Sequence, residues 1–249
     1  MKFIVSVSGG KDSTACLLYM LERVPKEDIV AAFCDTKWEA DETYEYLNYL
    51  EKELDIEIVR IESEGMFALC ERKKFVVNRH MRSCTMELKI KPFQKWIKEN
   101  FVDKEEFIVI EGIRREESKA RKDTEVFEIK QSILAGEKFL IPTMYPISYW
   151  NIQKVFSYIE SKGIKVNPLY SKGFRRVGCM PCVNANKYEL LYMPKKYKER
   201  LKALEKAISE KIGKKAFMFN PNTRDKFLRE KLLFETEELF EYYEKEMKK

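Results

Sequence analysis

The 249-residue sequence has no apolar run approaching the roughly 18 residues that a membrane helix needs, and it has no internal repeat or low-complexity linker. Its short apolar start, MKFIV, is not long enough for a signal peptide. These absences predict a cytoplasmic protein without a membrane partner. The length is sufficient for one large domain, alone or with a small extension.

A strong net charge is also missing, because 47 basic and 41 acidic residues leave a formal charge of +6. That balance suits anionic ligands but does not by itself indicate nucleic acid. The six cysteines are not expected to form a disulfide framework in a cytoplasmic protein of this size. Cys16 and Cys34 lie in apolar segments and are interpreted as core residues. The C-x-x-C at Cys179 and Cys182 needs another explanation.

The first half of the chain alternates between strand and helix patterns. We predict strands at 2–7, 28–36, 56–62 and 107–113, and helices at 13–23, 39–54 and 86–101. Buried strands joined by helices of this length predict right-handed crossovers and an α/β fold with a doubly wound parallel sheet. In such a fold, ligands bind beyond the carboxyl ends of the strands.

The pattern changes near residue 148. We predict a helix at 148–162, an irregular cysteine-bearing loop at 165–186, and charged helices at about 195–212 and 224–247. The last helices could contact nucleic acid, but amphipathic packing explains their periodicity equally well. We expect an α/β domain over residues 1–165, and a cysteine-bearing loop with a helical C-terminal extension over residues 166–249.

The stretch SGGKDS at residues 8–13, called the glycine loop below, joins the first strand to the first helix. It fits neither standard glycine pattern: Asp12 stands where the Walker motif requires Ser or Thr, and no third glycine follows as in the dinucleotide fingerprint. Adjacent glycines still let the backbone approach a ligand, and the amides of a helix start point at an anion. We predict phosphate binding by Ser8, Gly9, Gly10, Lys11 and Ser13.

Asp12 is unexpected in a phosphate loop, because a carboxylate repels phosphate. It fits there as a helix cap or as a ligand of a divalent cation that bridges phosphates. The alternative is a Gly-Gly turn with surface charges. The position between a buried strand and an apolar helix favours the phosphate interpretation.

A second polar segment, GIRREES at 112–118, follows the fourth predicted strand. Guanidinium groups suit phosphate or sulfate oxygens, and the position at a strand end favours a ligand role. The alternative is a solvated helix start in which acidic neighbours pair locally with the arginines. Asp35, just past the second strand, is expected to bond a ribose or to help hold a cation, unless it forms an Asx turn. The further candidates are Gly112, Arg114, Arg115 and Arg121, followed by Arg82, Lys89 and Lys91.

A C-x-x-C pair supplies two thiolates on one turn, and a distant third would complete a metal or cluster site. Cys84, Cys179 and Cys182 suit a [4Fe–4S] cluster with one open iron, or a zinc ion with a fourth ligand. His80, the one histidine, is the candidate fourth ligand, and Cys70 is a weaker one. Buried thiols or a redox pair without metal is the alternative. The cations that we expect to lower the pKa of these thiols and to attract an acidic substrate are Lys172, Arg175 and Arg176.

The glycine loop resembles the SGGKDS signature of the PP-loop ATP pyrophosphatases, the adenine nucleotide alpha-hydrolase-like group, and more narrowly the phosphoadenosine-phosphosulfate (PAPS) reductase family. The likeness covers most of residues 1–190, and further segments match in order. These are CDTKWEADETYEYL at 34–47, with Lys37 where a glycine is commoner, RSCTMELKIKP at 82–92, EGIRREESKAR at 111–121, YPISYWN at 145–151 and NPLYSKGFRRVGCMPC at 167–182.

The resemblance implies a PP-loop nucleotide-binding domain over residues 1–165 that cleaves or transfers a nucleotide at its alpha phosphate. It implies ATP and Mg²⁺ as ligands and favours a [4Fe–4S] cluster over zinc. The residues expected to take part in catalysis are Lys11, Asp12, Arg114 and Arg115.

The reductase pattern is incomplete in this sequence. PAPS reductases carry a late catalytic cysteine near a Glu-Cys-Gly-Leu-His tail, and here no cysteine follows Cys182; APS-type reductases have a Cys-Cys pair where Ser83 and Cys84 stand. We therefore predict ATP-dependent activation coupled to sulfur transfer, as in the DNA-phosphorothioation and tRNA-thiolation members. A sulfur donor protein and a nucleic-acid substrate are candidate partners. The alternatives are a PAPS or APS reductase that releases sulfite, and a non-catalytic nucleotide-binding module.

Overall fold

A six-stranded sheet forms the centre of the computed structural model, which describes residues 1–219 and, of Lys187, the backbone alone. The strands are β1 (Lys2–Ser6), β2 (Ile29–Asp35), β3 (Ile58–Glu62), β4 (Phe107–Ile110), β5 (Phe127–Leu134) and β6 (Glu137–Met144). Their order is β3-β2-β1-β4-β6-β5, and all neighbours are parallel except the antiparallel β5–β6 pair. The predicted α/β parallel sheet is confirmed, with one antiparallel strand added at an edge.

Helices join and cover these strands. They are α1 (Lys11–Leu21), α2 (Asp41–Leu54), α3 (Met66–Lys73), α4 (Ser83–Thr85), α5 (Lys91–Asn100), α6 (Ile152–Ser161), α7 (Lys187–Leu191) and α8 (Lys195–Ile212). A π-helical turn at Met86–Ile90 joins α4 to α5, so the helix predicted at 86–101 begins three residues earlier. Helix α6 begins later than predicted, because the Asn151 side chain caps it by accepting a hydrogen bond from the Lys154 amide. The helix predicted at 224–247 lies outside the described residues.

The sheet is covered on both faces. Helices α1, α2 and α6 pack on one face around Leu17, Leu47 and Val155, and α5 packs on the other face around Ile97. The chain moves outward from β1 to β3 and then returns to place β4 on the other side of β1. A crevice therefore opens beyond the carboxyl ends of β1 and β4, where doubly wound sheets bind their ligands.

The sequence patterns did not lead us to predict the β5–β6 hairpin or helix α3. In β5 the apolar side chains Phe127, Ile129 and Ile133 alternate with polar ones, as in a strand, but it is the apolar ones that are exposed. A strand whose apolar face lies outside does not show the pattern of a buried parallel strand.

A second apolar cluster joins the C-terminal region to the α/β domain. Trp38 packs there with Leu69 of α3 and with Leu201 and Leu204 of α8. These contacts cross residue 165, and the division into domains at that position stays a prediction. Among residues 1–219 there is no helix long and apolar enough to cross a membrane.

Gly112 lets the loop after β4 approach the first turn of α1. A Cβ at this position would lie 2.7 Å from the backbone carbonyl carbon of Asp12 and 2.8 Å from the amide nitrogen of Ser13. Because these are backbone atoms, a side chain could be accommodated only by moving the helix start. The absence of a side chain at residue 112 therefore sets how closely the two loops of the crevice meet.

We predict that Gly112→Ala lowers the free energy of unfolding by about 2–3 kcal/mol, because the added methyl group overlaps the helix backbone. Hydrogen exchange at the amides of residues 12–14 should accelerate. Gly163→Ala is the matched control: its φ of +69° is strained for alanine, but nothing lies within 4 Å of the new Cβ. The control should cost about 1 kcal/mol and leave exchange in α1 unchanged. Equal exchange rates in the two variants would contradict the close packing.

Candidate active site

The glycine loop is held in shape by its own hydroxyls and by a distant amide. The Ser13 hydroxyl accepts a hydrogen bond from the Ser8 amide and donates one to the Gly10 carbonyl, both at 3.0 Å. Gly9 has a φ of +71°, and its carbonyl accepts a hydrogen bond from the buried side-chain amide of Asn167 at 3.2 Å. The loop turns through a left-handed residue and presents the start of α1 to the crevice.

Three charged side chains form a buried network at the start of α1. Lys11 Nζ donates to one Asp12 carboxylate oxygen at 2.8 Å, and Arg114 Nε donates to the other at 2.5 Å. Lys11 is 8% exposed and Arg114 is 4% exposed. Arg114 also pairs with the half-exposed Glu116 at 3.1 Å. The network places two cations beside the helix start, where an anion is favoured.

The other two arginines of the 112–121 segment have different partners. Arg115 donates from Nε to the Thr124 carbonyl at 2.8 Å, and its guanidinium lies 3.9 Å from the centre of the Tyr149 ring. Arg121 pairs with Glu117, which is the local pairing considered in the sequence. The structure thus brings Arg114 to the glycine loop, while Arg115 and Arg121 contact residues outside it.

Asp35 ends β2 and accepts hydrogen bonds at one oxygen. The donors are the Lys37 amide at 2.7 Å and the Tyr44 hydroxyl at 2.6 Å. The first of these bonds closes the Asx turn that the sequence left open as an alternative. Lys37 has a φ of +53°, a left-handed conformation that glycine adopts without strain. This explains why a glycine suits that position in the resembled segment.

The three candidate ligand cysteines share one environment. Cys84, Cys179 and Cys182 are half-buried and pack against the cluster around Trp38 and Leu88. His80 is exposed, and its backbone amide donates to the Asn78 side chain. Within residues 1–219, no group of three or more His, Cys, Asp or Glu side chains is arranged to hold a metal ion.

Cys179 is hydrogen-bonded to a buried acid that the sequence did not single out. Its Sγ donates to Glu39 at 3.4 Å, and Lys89 Nζ lies 3.8 Å from the same carboxylate. Glu39 is 1% exposed and also accepts hydrogen bonds from the amide and hydroxyl of Thr36. Its place in the WEADETY stretch, between a buried tryptophan and helix α2, is the one signal of this role in the sequence.

Burial, and not the nearby cations, dominates the pKa values of Cys84 and Cys179. It raises the pKa of Cys179 to about 12 and raises that of Cys84 as well. The expectation that basic neighbours lower these values is therefore corrected for both thiols. Arg175 and Arg176 are exposed, and Lys172 pairs with Glu42 at 2.9 Å, so these cations are directed to the surface.

Residues 167–182, called the linking segment below, connect the glycine loop to the cysteines. At its start, the Tyr170 hydroxyl accepts a hydrogen bond from the Lys11 amide at 3.0 Å. At its end, the Gly178 carbonyl accepts one from the Ala40 amide at 2.8 Å, next to the Cys179 contacts described above. Asn167 and Tyr170 were not recognised as site residues in the sequence, although the NPLY stretch that contains them was noted.

The sheet order and the glycine loop after β1 define a doubly wound α/β fold with its loop at the carboxyl end of the central strand. Among solved structures, the PAPS reductase from Candida auris in its phosphate complex has a similar fold. It is 18% identical, with a TM-score of 0.52 over 72% of this chain and 81% of that chain.

The family follows from a direct match. The family model described as the phosphoadenosine phosphosulfate reductase domain matches residues 2–185. The protein therefore belongs to the PAPS reductase domain family, which confirms the resemblance carried by the six motifs.

Curated relatives differ in length and in what is known of them. An uncharacterized protein of Escherichia phage 186 is 28% identical over 89% of this chain and 80% of its own length. An uncharacterized protein of Methanocaldococcus jannaschii is 32% identical over 72% of this chain but only 35% of its own length. The adenosine 5'-phosphosulfate reductase of Salinibacter ruber is 28% identical over 60% of this chain and 56% of its own length. The chain thus spans about a third to a half of the last two relatives.

We predict that Asp12→Asn destabilises the protein by about 3 kcal/mol, because it removes the partly buried carboxylate that two buried cations share. Pyrophosphate without Mg²⁺ should restore part of this loss, so its thermal shift should be larger in the variant than in the unaltered protein. Scanning fluorimetry with and without pyrophosphate measures both quantities. Glu62→Gln, which removes an exposed partner of Lys37, is the control and should behave like the unaltered protein. An equal or smaller pyrophosphate shift in Asp12→Asn would contradict competition between Asp12 and the anion.

Proposed function

We propose that the protein binds ATP in the crevice, cleaves it at the alpha phosphate to adenylate an acceptor, and couples this activation to sulfur transfer. The observation that carries the proposal is the linking segment, which contacts the glycine loop through Asn167 and Tyr170 and ends in the cysteine pair. One short segment thus joins a phosphate-binding loop to a set of thiols. This arrangement fits a reaction that uses a nucleotide for activation and thiols for sulfur transfer.

Each part of the network has a role in this reaction. The amides at the start of α1, with Lys11 and Ser13, bind the leaving pyrophosphate. Arg114 stabilises the negative charge that develops on the alpha phosphate when the acceptor oxygen attacks and the bond to pyrophosphate breaks. Asp12 would hold Mg²⁺ once the nucleotide has taken over its two cations, and the ion would supply positive charge to the phosphates. A donor sulfur then displaces AMP from the adenylated acceptor, whose former oxygen leaves with the AMP.

The same proposal assigns a metal or cluster to Cys84, Cys179 and Cys182. Its support is that the three thiols share one apolar environment. Three thiolates fit three irons of a [4Fe–4S] cluster, or three positions around zinc. A cluster, when bound, would supply an open iron site that can hold sulfur. Loading requires Cys179 to release the proton that it donates to Glu39.

A reductase is the second candidate, because relatives named adenosine 5'-phosphosulfate reductase are 27–29% identical over 59–67% of this chain. Reduction of a sulfonucleotide needs a cysteine that attacks sulfur. Cys179 or Cys182 could act in this way only without a metal, since a bound thiolate has its lone pair engaged. Sulfite released from APS or PAPS with a thiol reductant, and lost in Cys182→Ser, would overturn the sulfur-transfer proposal.

We predict that Lys11→Ala and Arg114→Ala each lower pyrophosphate release from labelled ATP by about 100-fold or more, because each removes charge stabilisation at the phosphates. Arg115→Ala should have a smaller effect, since its guanidinium contacts Thr124 and Tyr149. Arg72→Ala, which removes surface ion pairs with Glu64 and Glu87, is the control. Turnover unaffected by the first two changes would refute the assignment, and nucleotide binding without turnover would support the non-catalytic module instead.

For the metal, we predict that anaerobic purification gives a brown protein with about four iron atoms and matching acid-labile sulfide per chain. Serine at position 84, 179 or 182 should lower the iron content severalfold, whereas Cys16→Ala, in the core of α1, should not. His80→Ala should leave a cluster intact but should weaken a zinc site that uses this histidine. A chain that holds neither metal after supply of both would remove this part of the proposal.

A further inference from the structure

Helix α7 and the two residues after it divide their aromatic and aliphatic side chains between two sides. Leu190 and the following Met193 are buried against Leu169 and Phe174 of the linking segment. Tyr188 and Tyr192 are 40% and 54% exposed, although they are large enough to contribute to a core. Their ring centres are 4.4 Å apart with an angle of 38° between the ring planes. The helix therefore anchors itself through aliphatic residues and leaves a paired aromatic surface outside.

Exposed cations lie beside these rings. Tyr188 contacts the backbone at Gly173, where an added Cβ would lie 2.7 Å from its hydroxyl. Arg175 and Arg176, which follow Gly173 closely in the chain, are exposed. Among the ion pairs formed within residues 1–219, none includes either guanidinium group. Their backbone amides both donate to the buried carboxylate of Glu189, at 2.8 and 3.1 Å. The two hydrogen bonds to Glu189 thus fix the backbone of this loop, while the arginine side chains stay exposed to solvent and available to a ligand.

This surface adjoins the candidate active site. Arg176 lines a small cavity together with Cys179 and Cys182. On the other side of the loop, Lys172 pairs with Glu42 of α2. The next residue of α2, Thr43, packs closely on the glycine loop, since a Cβ added at Gly9 would lie 2.8 Å from the Thr43 methyl group. A ligand on the surface would therefore lie beside the cysteine pair, and Lys172 next to it contacts the helix that packs on the glycine loop.

We infer that the surface formed by Tyr188, Tyr192, Arg175 and Arg176 binds single-stranded nucleic acid, and that a nucleotide of this strand is the acceptor in the proposed reaction. The second part rests on the proposed function. Exposed tyrosine rings stack on unpaired bases, and guanidinium groups bind the phosphates between them. An acidic peptide would use the arginines but would leave the aromatic pair without a partner, and a duplex keeps its bases stacked on each other.

The test is fluorescence anisotropy of the full chain with labelled 15-nucleotide oligo-U, oligo-dT and a 15-base-pair duplex, without ATP and at two salt concentrations. We expect both single strands to bind more tightly than the duplex. Arg175→Ala combined with Arg176→Ala should weaken binding about tenfold or more and reduce the salt slope by about 1–2. Tyr192→Ala should weaken binding about fivefold or more at an unchanged slope, and Tyr192→Phe should bind normally.

Matched controls are Lys138→Ala and Phe127→Ala, an exposed cation and an exposed aromatic on the β5–β6 hairpin. Both should bind like the unaltered protein. Equal binding of duplex and single strand, efficient competition by polyglutamate, or no effect of the arginine and tyrosine changes would overturn the inference. Because the assay contains no ATP, its failure is distinct from failure of the proposed chemistry. Lys11→Ala should keep strand binding while losing pyrophosphate release, and stimulation of that release by the strand tests the acceptor role.

Discussion

The contact between Asp12 and Arg114 is the interaction on which the arrangement of the site depends. It joins the loop after β1 to the loop after β4, at the point where the order of strands reverses. Gly112 lets the two loops approach, and the carboxylate then holds both cations in a place where a bare positive charge would be costly. In the proposed function, the same carboxylate is the group that an incoming nucleotide would replace or share. The resting network therefore keeps the cations oriented before any phosphate arrives, which lowers the reorganisation needed on binding.

The linking segment transmits this arrangement to the cysteines. It begins at the glycine loop with Asn167 and Tyr170, and it ends beside Glu39, whose carboxylate faces Cys179. Tyr170 is central to this path, since its hydroxyl takes the first amide of α1 and its ring lies 5.6 Å from Lys11 Nζ. In the proposed function, a phosphate oxygen that takes the Lys11 amide would displace this hydroxyl.

Much of this site could be predicted from the sequence, because its main features are local. The glycine loop follows a buried strand and opens a helix, and the position of Arg114 just past β4 follows from the rule for strand ends. The roles of Arg115 and Arg121 could not be separated from that of Arg114, since three arginines in one segment look alike until side-chain directions are known. Glu39 was missed because a buried acid depends on partners such as Lys89, 50 residues away in the chain. The thiol pKa values were misjudged because sequence shows charge but not burial.

The hairpin of β5 and β6 has a consequence for the behaviour of the protein in concentrated solution. Strand β5 is the last in the sheet, and along its outer side no other described strand takes up its amides and carbonyls. Phe127, Ile129 and Ile133 project from the same face and are exposed. An edge strand with unpaired backbone groups and an apolar face is a template for adding further strands, so this edge favours self-association of the protein.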